Sequence, residues 1–190
     1  MADLRTKRTY ILLKNSLYEL LTKKSFDDIK VNDICELAMV HRTTFYSHFS
    51  DKYDLLNYCI KELENDIKEN MKITSYTRLQ EFYKNLITNL LEYIEKNKLL
   101  FKNMLKRNYD TDIISMFKNT CTSFILEMLQ KEEKNGVIHN MPINLIATYY
   151  SGAVVSSISW WINTKNDLSK EEFCDSLINL IFSNKLYIEK

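Results

Sequence analysis

Val31-Asn-Asp-Ile-Cys-Glu-Leu-Ala-Met-Val-His-Arg-Thr-Thr-Phe-Tyr-Ser-His-Phe49 is the stretch on which the fold turns. Residues 31–38 carry Ile34, Leu37 and Ala38 at helical spacing, and residues 42–49 carry Phe45 and Phe49 four apart. Each half is therefore a short helix with one apolar face, and only a few residues join the two. The second helix turns Arg42, Thr43, Tyr46, Ser47 and His48 away from its two phenylalanines, a set rich in donors for phosphates and base edges. Arginine can pair bidentately with a guanine edge, which makes Arg42 the strongest base-reading candidate. Spacing and composition together fit a DNA-binding helix-turn-helix and an ordinary helical hairpin equally well.

Working outward, the chain offers almost nothing that interrupts a helix. Its 190 residues are 45% hydrophobic and 27% charged, with only two glycines and one proline. A turn-rich all-β fold and a glycine-rich phosphate loop are both excluded by Gly136, Gly152 and Pro142 being the only special-backbone residues. The class is all-α, with about nine helices. Apolar residues at a 3.6 period predict helices over residues 8–22, 31–38, 42–49, 52–72, 79–94, 99–105, 113–129, 142–162 and 171–187. Ser50-Asp51, Thr74-Ser75, Asp110 and Ser169 are the expected N-caps, and the charged run 131–136 is an expected turn.

Several functions are disfavoured by what the sequence contains. The net charge is +1, so any DNA contact must come from placed residues and not from a broadly basic surface. Cys35, Cys59, Cys121 and Cys174 are far apart and sit in apolar-periodic stretches, which reads as buried thiols in a reducing cytoplasm. No run approaches a membrane span, and the first residues lack the apolar core of a secretory signal. His41, His48 and His139 form no HExxH or Glu-x-x-His pattern, and no nucleophile lies near a His and an acid in a recognisable arrangement. No enzyme activity, metal or cofactor is expected.

The block Thr44-Phe45-Tyr46-Ser47-His48-Phe49-Ser50-Asp51-Lys52-Tyr53-Asp54-Leu55-Leu56 resembles the hallmark of TetR-family transcriptional regulators, and Asp33-Ile34-Cys35 with Ala38 and Val40 matches the family pattern upstream of it. The resemblance covers about residues 5–65, and the 38–46 run is similar to members of the low-GC Gram-positive type. It implies that Arg42 and Thr43 read bases, that Thr44, Tyr46, Ser47 and His48 contact phosphates and bases, and that Lys52 clamps a phosphate. It also implies a basic arm of Arg5, Lys7 and Arg8 that reaches the adjacent groove. There are departures: Ser25 and Met39 stand where glycine is usual, His41 replaces the usual serine cap, and Lys30 replaces threonine. A side chain at Met39 would strain a left-handed residue, so a turn adapted to non-glycine is expected there.

The resemblance divides the chain into a DNA-binding domain over residues 1–65 and a helical dimerisation and effector-binding domain over 66–190. On the eighth and ninth helices, Ile146, Tyr150, Ala153, Val154, Ser157, Trp161, Phe173, Leu177, Leu180 and Ile181 form apolar stripes suited to a four-helix dimer interface. The Ser-Gly-Ala…Trp-Trp region weakly resembles regulators linked to dihydroxyacetone kinase. A pocket for a small apolar or aromatic effector would be lined by Phe82, Phe101, Met104, Phe117, Cys121, Tyr149 and Trp160. The same residue types at helical spacing also describe plain core. The expected function is a homodimeric repressor that binds a double-stranded operator and is released by a small molecule. The alternative is a helical adaptor whose C-terminal domain binds a protein partner.

Overall fold

The computed structural model describes residues 4–70, 79–105, 112–165 and 167–183. Among these, nine α-helices follow one another: α1 (Leu4–Leu21), α2 (Val31–Ala38), α3 (Arg42–Tyr46), α4 (Lys52–Asn70), α5 (Leu79–Lys96), α6 (Lys98–Leu105), α7 (Asp112–Lys134), α8 (Ile143–Asn163) and α9 (Lys170–Ser183). One 3₁₀ turn, Phe26–Asp28, lies between α1 and α2 and has no counterpart in the expected helices. The order and approximate bounds of the helices are those the apolar periodicity predicts. Lys131 to Lys134 extend α7, so the turn into α8 begins only at Asn135. The caps expected at Thr74-Ser75 and Asp110 lie outside the described residues.

Leu13, Leu17 and Leu21 of α1 are spaced four apart and bury one face of that helix against Ile34, Cys35 and Ala38 of α2 and Phe45 of α3. Phe49, Leu55, Leu56 and Cys59 close the same cluster. Together they hold α2 and α3 as a rigid pair. Burying side chains of this size contributes about 1.5–3 kcal/mol each relative to exposure.

The start of α4 is set locally. Asp51 Oδ1 accepts the Tyr53 and Asp54 backbone N–H groups at 2.8 and 2.9 Å, and Asp54 returns the contact by accepting Ser50 N–H at 3.0 Å. These bonds satisfy amides that no helical carbonyl reaches. Ser169 and Glu172 make the corresponding reciprocal box at α9. The boundary expected at residue 65 falls inside α4, which runs unbroken from the α1–α3 cluster to α7. The larger buried cluster likewise spans both regions, passing from Leu56 and Ile60 through Leu91, Phe101 and Ile113 to Trp161, Phe173 and Leu177, and a smaller one holds Leu129, Ile146, Ala147 and Tyr150.

Candidate nucleic-acid interface and internal cavity

The turn between α2 and α3 fixes how the second helix is presented. Met39 closes α2 with φ 53° and ψ 41°, the left-handed region, and the Val40 N–H reaches back to the Cys35 carbonyl at 3.0 Å. The expectation of a turn adapted to non-glycine is therefore overturned. The glycine-type geometry is kept, because it lets the last carbonyls of α2 accept the Met39 and Val40 amides while the chain reverses. The Met39 side chain is 91% exposed and recovers no packing for this conformation.

From that turn α3 presents Arg42, Thr43, Tyr46 and Ser47 on its exposed side, with Thr44 half-buried. The Arg42 guanidinium lies over the Tyr46 ring, 5.7 Å from its centroid, which holds both side chains on one surface. Ser47 Oγ donates to the Thr44 carbonyl at 2.8 Å. His48 is half-buried with its ring edge-on to Tyr10 of α1 at 5.2 Å. It lies at the seam between α1 and the α3 surface, while Arg42, Thr43, Tyr46 and Ser47 form the face itself. His41 makes no side-chain cap, so the α3 N-terminus keeps its leading amides available to an anion.

Lys52 is placed differently from the expected phosphate clamp. Its ammonium donates to the carbonyls of Phe26, Asp27 and Ile29 at 2.9, 3.1 and 2.9 Å, and it stands 4.7 Å from the centre of the Phe26 ring. An ammonium has three donors, and all three are used. Burial pushes its pKa below the ordinary lysine value, against the pull of Asp27 and Asp28. The 3₁₀ turn and α4 are thus pinned together through this one side chain. Arg5, Lys7 and Arg8 correct a second expectation: they sit within the first turns of α1 and do not form an arm outside it. Lys7 and Arg8 are exposed there.

Behind α4 lies a cavity of about 190 Å³. Its wall takes Ile60 and Leu63 from α4, Leu86, Ile87 and Leu90 from α5, Phe101 and Leu105 from α6, and Phe117, Cys121, Phe124 and Ile125 from α7. α8 adds Ile146, Tyr150, Val154, Val155 and Ile158, and α9 adds Ile181. Of the expected lining, Phe101, Phe117 and Cys121 are there. Met104 is buried beside it, against Tyr18 and Cys59. Tyr149 and Trp160 are not: they are 59% and 42% exposed on the far side of α8. The Phe82 side chain lies outside the described residues. Burial pushes the Cys121 thiol up to about 12, so it stays protonated.

The expected dimer stripe is corrected by the same helix. Ile146, Tyr150 and Val154 face the cavity, and Trp161 stacks on Phe173 at 5.1 Å with the rings 4° apart. The Tyr150 hydroxyl donates to the Ile181 carbonyl at 3.0 Å, and Leu177 is buried. Ala153 and Ser157 are half-buried, and Leu180 is 68% exposed. The outward stripe consists of Leu145, Tyr149, Gly152, Ser156 and Trp160, flanked by Ala153, and Leu180 of α9 is likewise exposed. α8 carries apolar residues around most of its circumference, so a 3.6 period cannot say which face is inward.

Comparison with known proteins agrees with both halves of this geometry. The model of the bacterial regulatory proteins of the tetR family matches residues 16–59, and that of a transcriptional regulator C-terminal region matches residues 81–183. The chain is 22% identical over 181 residues, 92% of its length and 89% of the relative's, to DhaS of Lactococcus lactis, the HTH-type dhaKLM operon transcriptional activator. A TetR-family regulator structure from Syntrophomonas wolfei superposes with a TM-score of 0.73 at 20% identity, covering 93% of this chain and 94% of that one. The Thermus thermophilus repressor FadR, solved in complex with lauroyl-CoA, superposes at 0.67 with 17% identity over 95% and 97%. A helix-turn-helix held by α1 and α4, with a C-terminal helical region behind it, is the arrangement of this family: the chain belongs to the TetR family of DNA-binding transcriptional regulators.

Proposed function

We propose that the chain acts as a homodimer that holds an operator through two copies of α3, one in each of two successive major grooves about 34–36 Å apart. The observation that carries this reading is the α3 face, where Arg42, Thr43, Tyr46 and Ser47 are exposed together around the Arg42–Tyr46 stack. Arg42 and Thr43 read base edges at the helix N-terminus, Thr44, Tyr46 and Ser47 contact phosphates and neighbouring bases, and His48 contributes from the seam. Lys7 and Arg8 add phosphate contacts from α1. Lys52 acts through the 3₁₀ turn that it pins.

Dimerisation uses the outward stripe of α8 with Leu180 of α9, which pairs with its own copy in a four-helix arrangement. A small molecule in the cavity moves the protein between operator-competent and incompetent populations. The cavity supports this reading over the adaptor alternative, since an adaptor requires no internal space. We take the output as repression relieved by the effector, while the relative DhaS is named an activator. Fluorescence anisotropy on DNA flanking the gene tests the reading, with a reporter fused to the same DNA giving the sign. Binding that survives Arg42→Ala and Tyr46→Ala unchanged would sink the assignment of the α3 face.

A further inference from the structure

We infer that the cavity behind α4 takes a neutral, hydrocarbon-rich molecule with about six to ten carbons and no ionised group inside the wall. The inference rests on the effector reading above and names the chemical class that the site accepts.

An engineered protein cavity of about 150 Å³ lined by aliphatic and aromatic side chains stays dry and admits benzene. The cavity here is somewhat larger, at about 190 Å³, and has walls of the same kind. It therefore suits one ring with a short substituent or one medium alkyl chain.

The wall holds few heteroatoms. Tyr150 already donates its hydroxyl to the Ile181 carbonyl, and burial keeps the Cys121 thiol protonated. Thr120 is left as a hydroxyl able to meet one polar group of a ligand. The remaining polar side chain is acidic: Glu64 lies near enough to Cys121 to act on its thiol. A carboxylate or phosphate brought inside would find no cationic side chain in the wall and would stand beside the Glu64 carboxyl group with its own hydration stripped away. Glu64 is not held open for a cation either, because it has a polar interaction within the chain. Stripping water from an ammonium without a waiting partner is costly. A polyhydroxylated triose brings almost no hydrocarbon, so it gains little from a wall that is apolar apart from Glu64, Thr120, Cys121 and Tyr150. What remains is a largely apolar body with at most one neutral polar group.

The test is isothermal titration calorimetry of the full chain with ligand series of equal chain length. These are 1-alkanols from four to ten carbons, the matching carboxylates, the matching alkyltrimethylammonium salts, and dihydroxyacetone. Operator binding by anisotropy is measured on the same preparations. Each methylene buried is worth about 0.8 kcal/mol, so alkanol affinity should rise about fourfold per added carbon until the cavity is full. The matching carboxylates should bind at least tenfold more weakly. Val155→Phe and Leu90→Phe, at two half-buried lining positions, should each weaken the alkanols about tenfold and leave operator binding intact.

A carboxylate or trimethylammonium salt that binds as tightly as the equal-chain alcohol overturns the proposal. So does a protein that holds its operator and binds no alkanol, and in that case the DNA-binding reading survives. Alkanol binding in a protein that holds no operator supports the ligand class and removes the regulatory reading instead.

Discussion

Met39 concentrates the conflict between local preference and tertiary demand. A left-handed conformation costs a residue with a Cβ about 1–2 kcal/mol, and this side chain lies in solvent with nothing to offset that cost. Met39→Gly should therefore raise the unfolding free energy by about 0.5–1 kcal/mol, part of the relief being lost to the greater freedom of glycine in the unfolded chain. A urea titration reads the difference, and an unchanged midpoint would mean that the side chain packs in a way the exposure denies. Lys52 poses the complementary question. With its three donors on carbonyls, Lys52→Met should cost about 2 kcal/mol of stability yet leave the salt dependence of operator binding unchanged. A phosphate contact would instead lower the salt slope by about one. Arg42→Ala should leave stability alone and relax discrimination at one or two base pairs by about 1–3 kcal/mol, seen as altered rankings in a competition assay with point-substituted operators.

Among the elements, α2 depends on its first turn. The Asp33 carboxylate accepts the Lys30 backbone N–H at 2.9 Å and the Lys24 ammonium from beyond the 3₁₀ turn. The Lys24 bond, followed by the Lys30 amide, holds its pKa below the ordinary carboxylate value. Because the folded pKa is the lower one, this stabilisation is complete above the ordinary carboxylate pKa of about 4 and is lost as the pH falls through the depressed folded value. Asp33→Asn should cost about 1 kcal/mol at neutral pH, and parent and variant should converge in acid, as thermal melts over a pH series would show. Asp33 was legible in the sequence only as part of a family pattern, since its partner Lys24 is nine residues away across a turn that periodicity does not reveal. On α8 the difficulty is different: one helix forms the cavity wall with Tyr150 and Val154 and the outer stripe with Tyr149 and Trp160, and these sets interleave in a run that is apolar nearly throughout.

Over the whole molecule, the two regions are joined by contacts that can be removed singly. Asn103 of α6 donates to the Leu21 carbonyl at the end of α1 at 2.8 Å, and its neighbour Phe101 lines the cavity. Asn103→Leu should leave operator affinity without effector close to the parent's and reduce the shift that a bound cavity ligand produces. Anisotropy titrations with and without saturating ligand measure both quantities, and an unchanged shift would place the coupling elsewhere, α4 being the other shared element. The dimer reading makes its own demand. Tyr149→Glu with Leu180→Glu should give a monomer in analytical ultracentrifugation and weaken operator binding by orders of magnitude, because each half-site is then held alone. Val154→Glu would be a poor substitute, since that residue points inward.

The sequence by itself determined the class, the order of the helices and the recognition unit. Helix formation here is a matter of local periodicity with almost no glycine or proline to interrupt it, and residues 31–56 carry a pattern dense enough to be read without neighbours. Only the tertiary structure decided which side of α8 is inward, that Lys52 is spent on three carbonyls, and that Tyr149 and Trp160 lie outside the cavity that Tyr150 and Val154 line. Those outcomes depend on partners 23 or more residues away for Lys52, and on α4 to α7 for the cavity. A 3.6-residue period marks the apolar positions of a helix but carries no record of what stands opposite them.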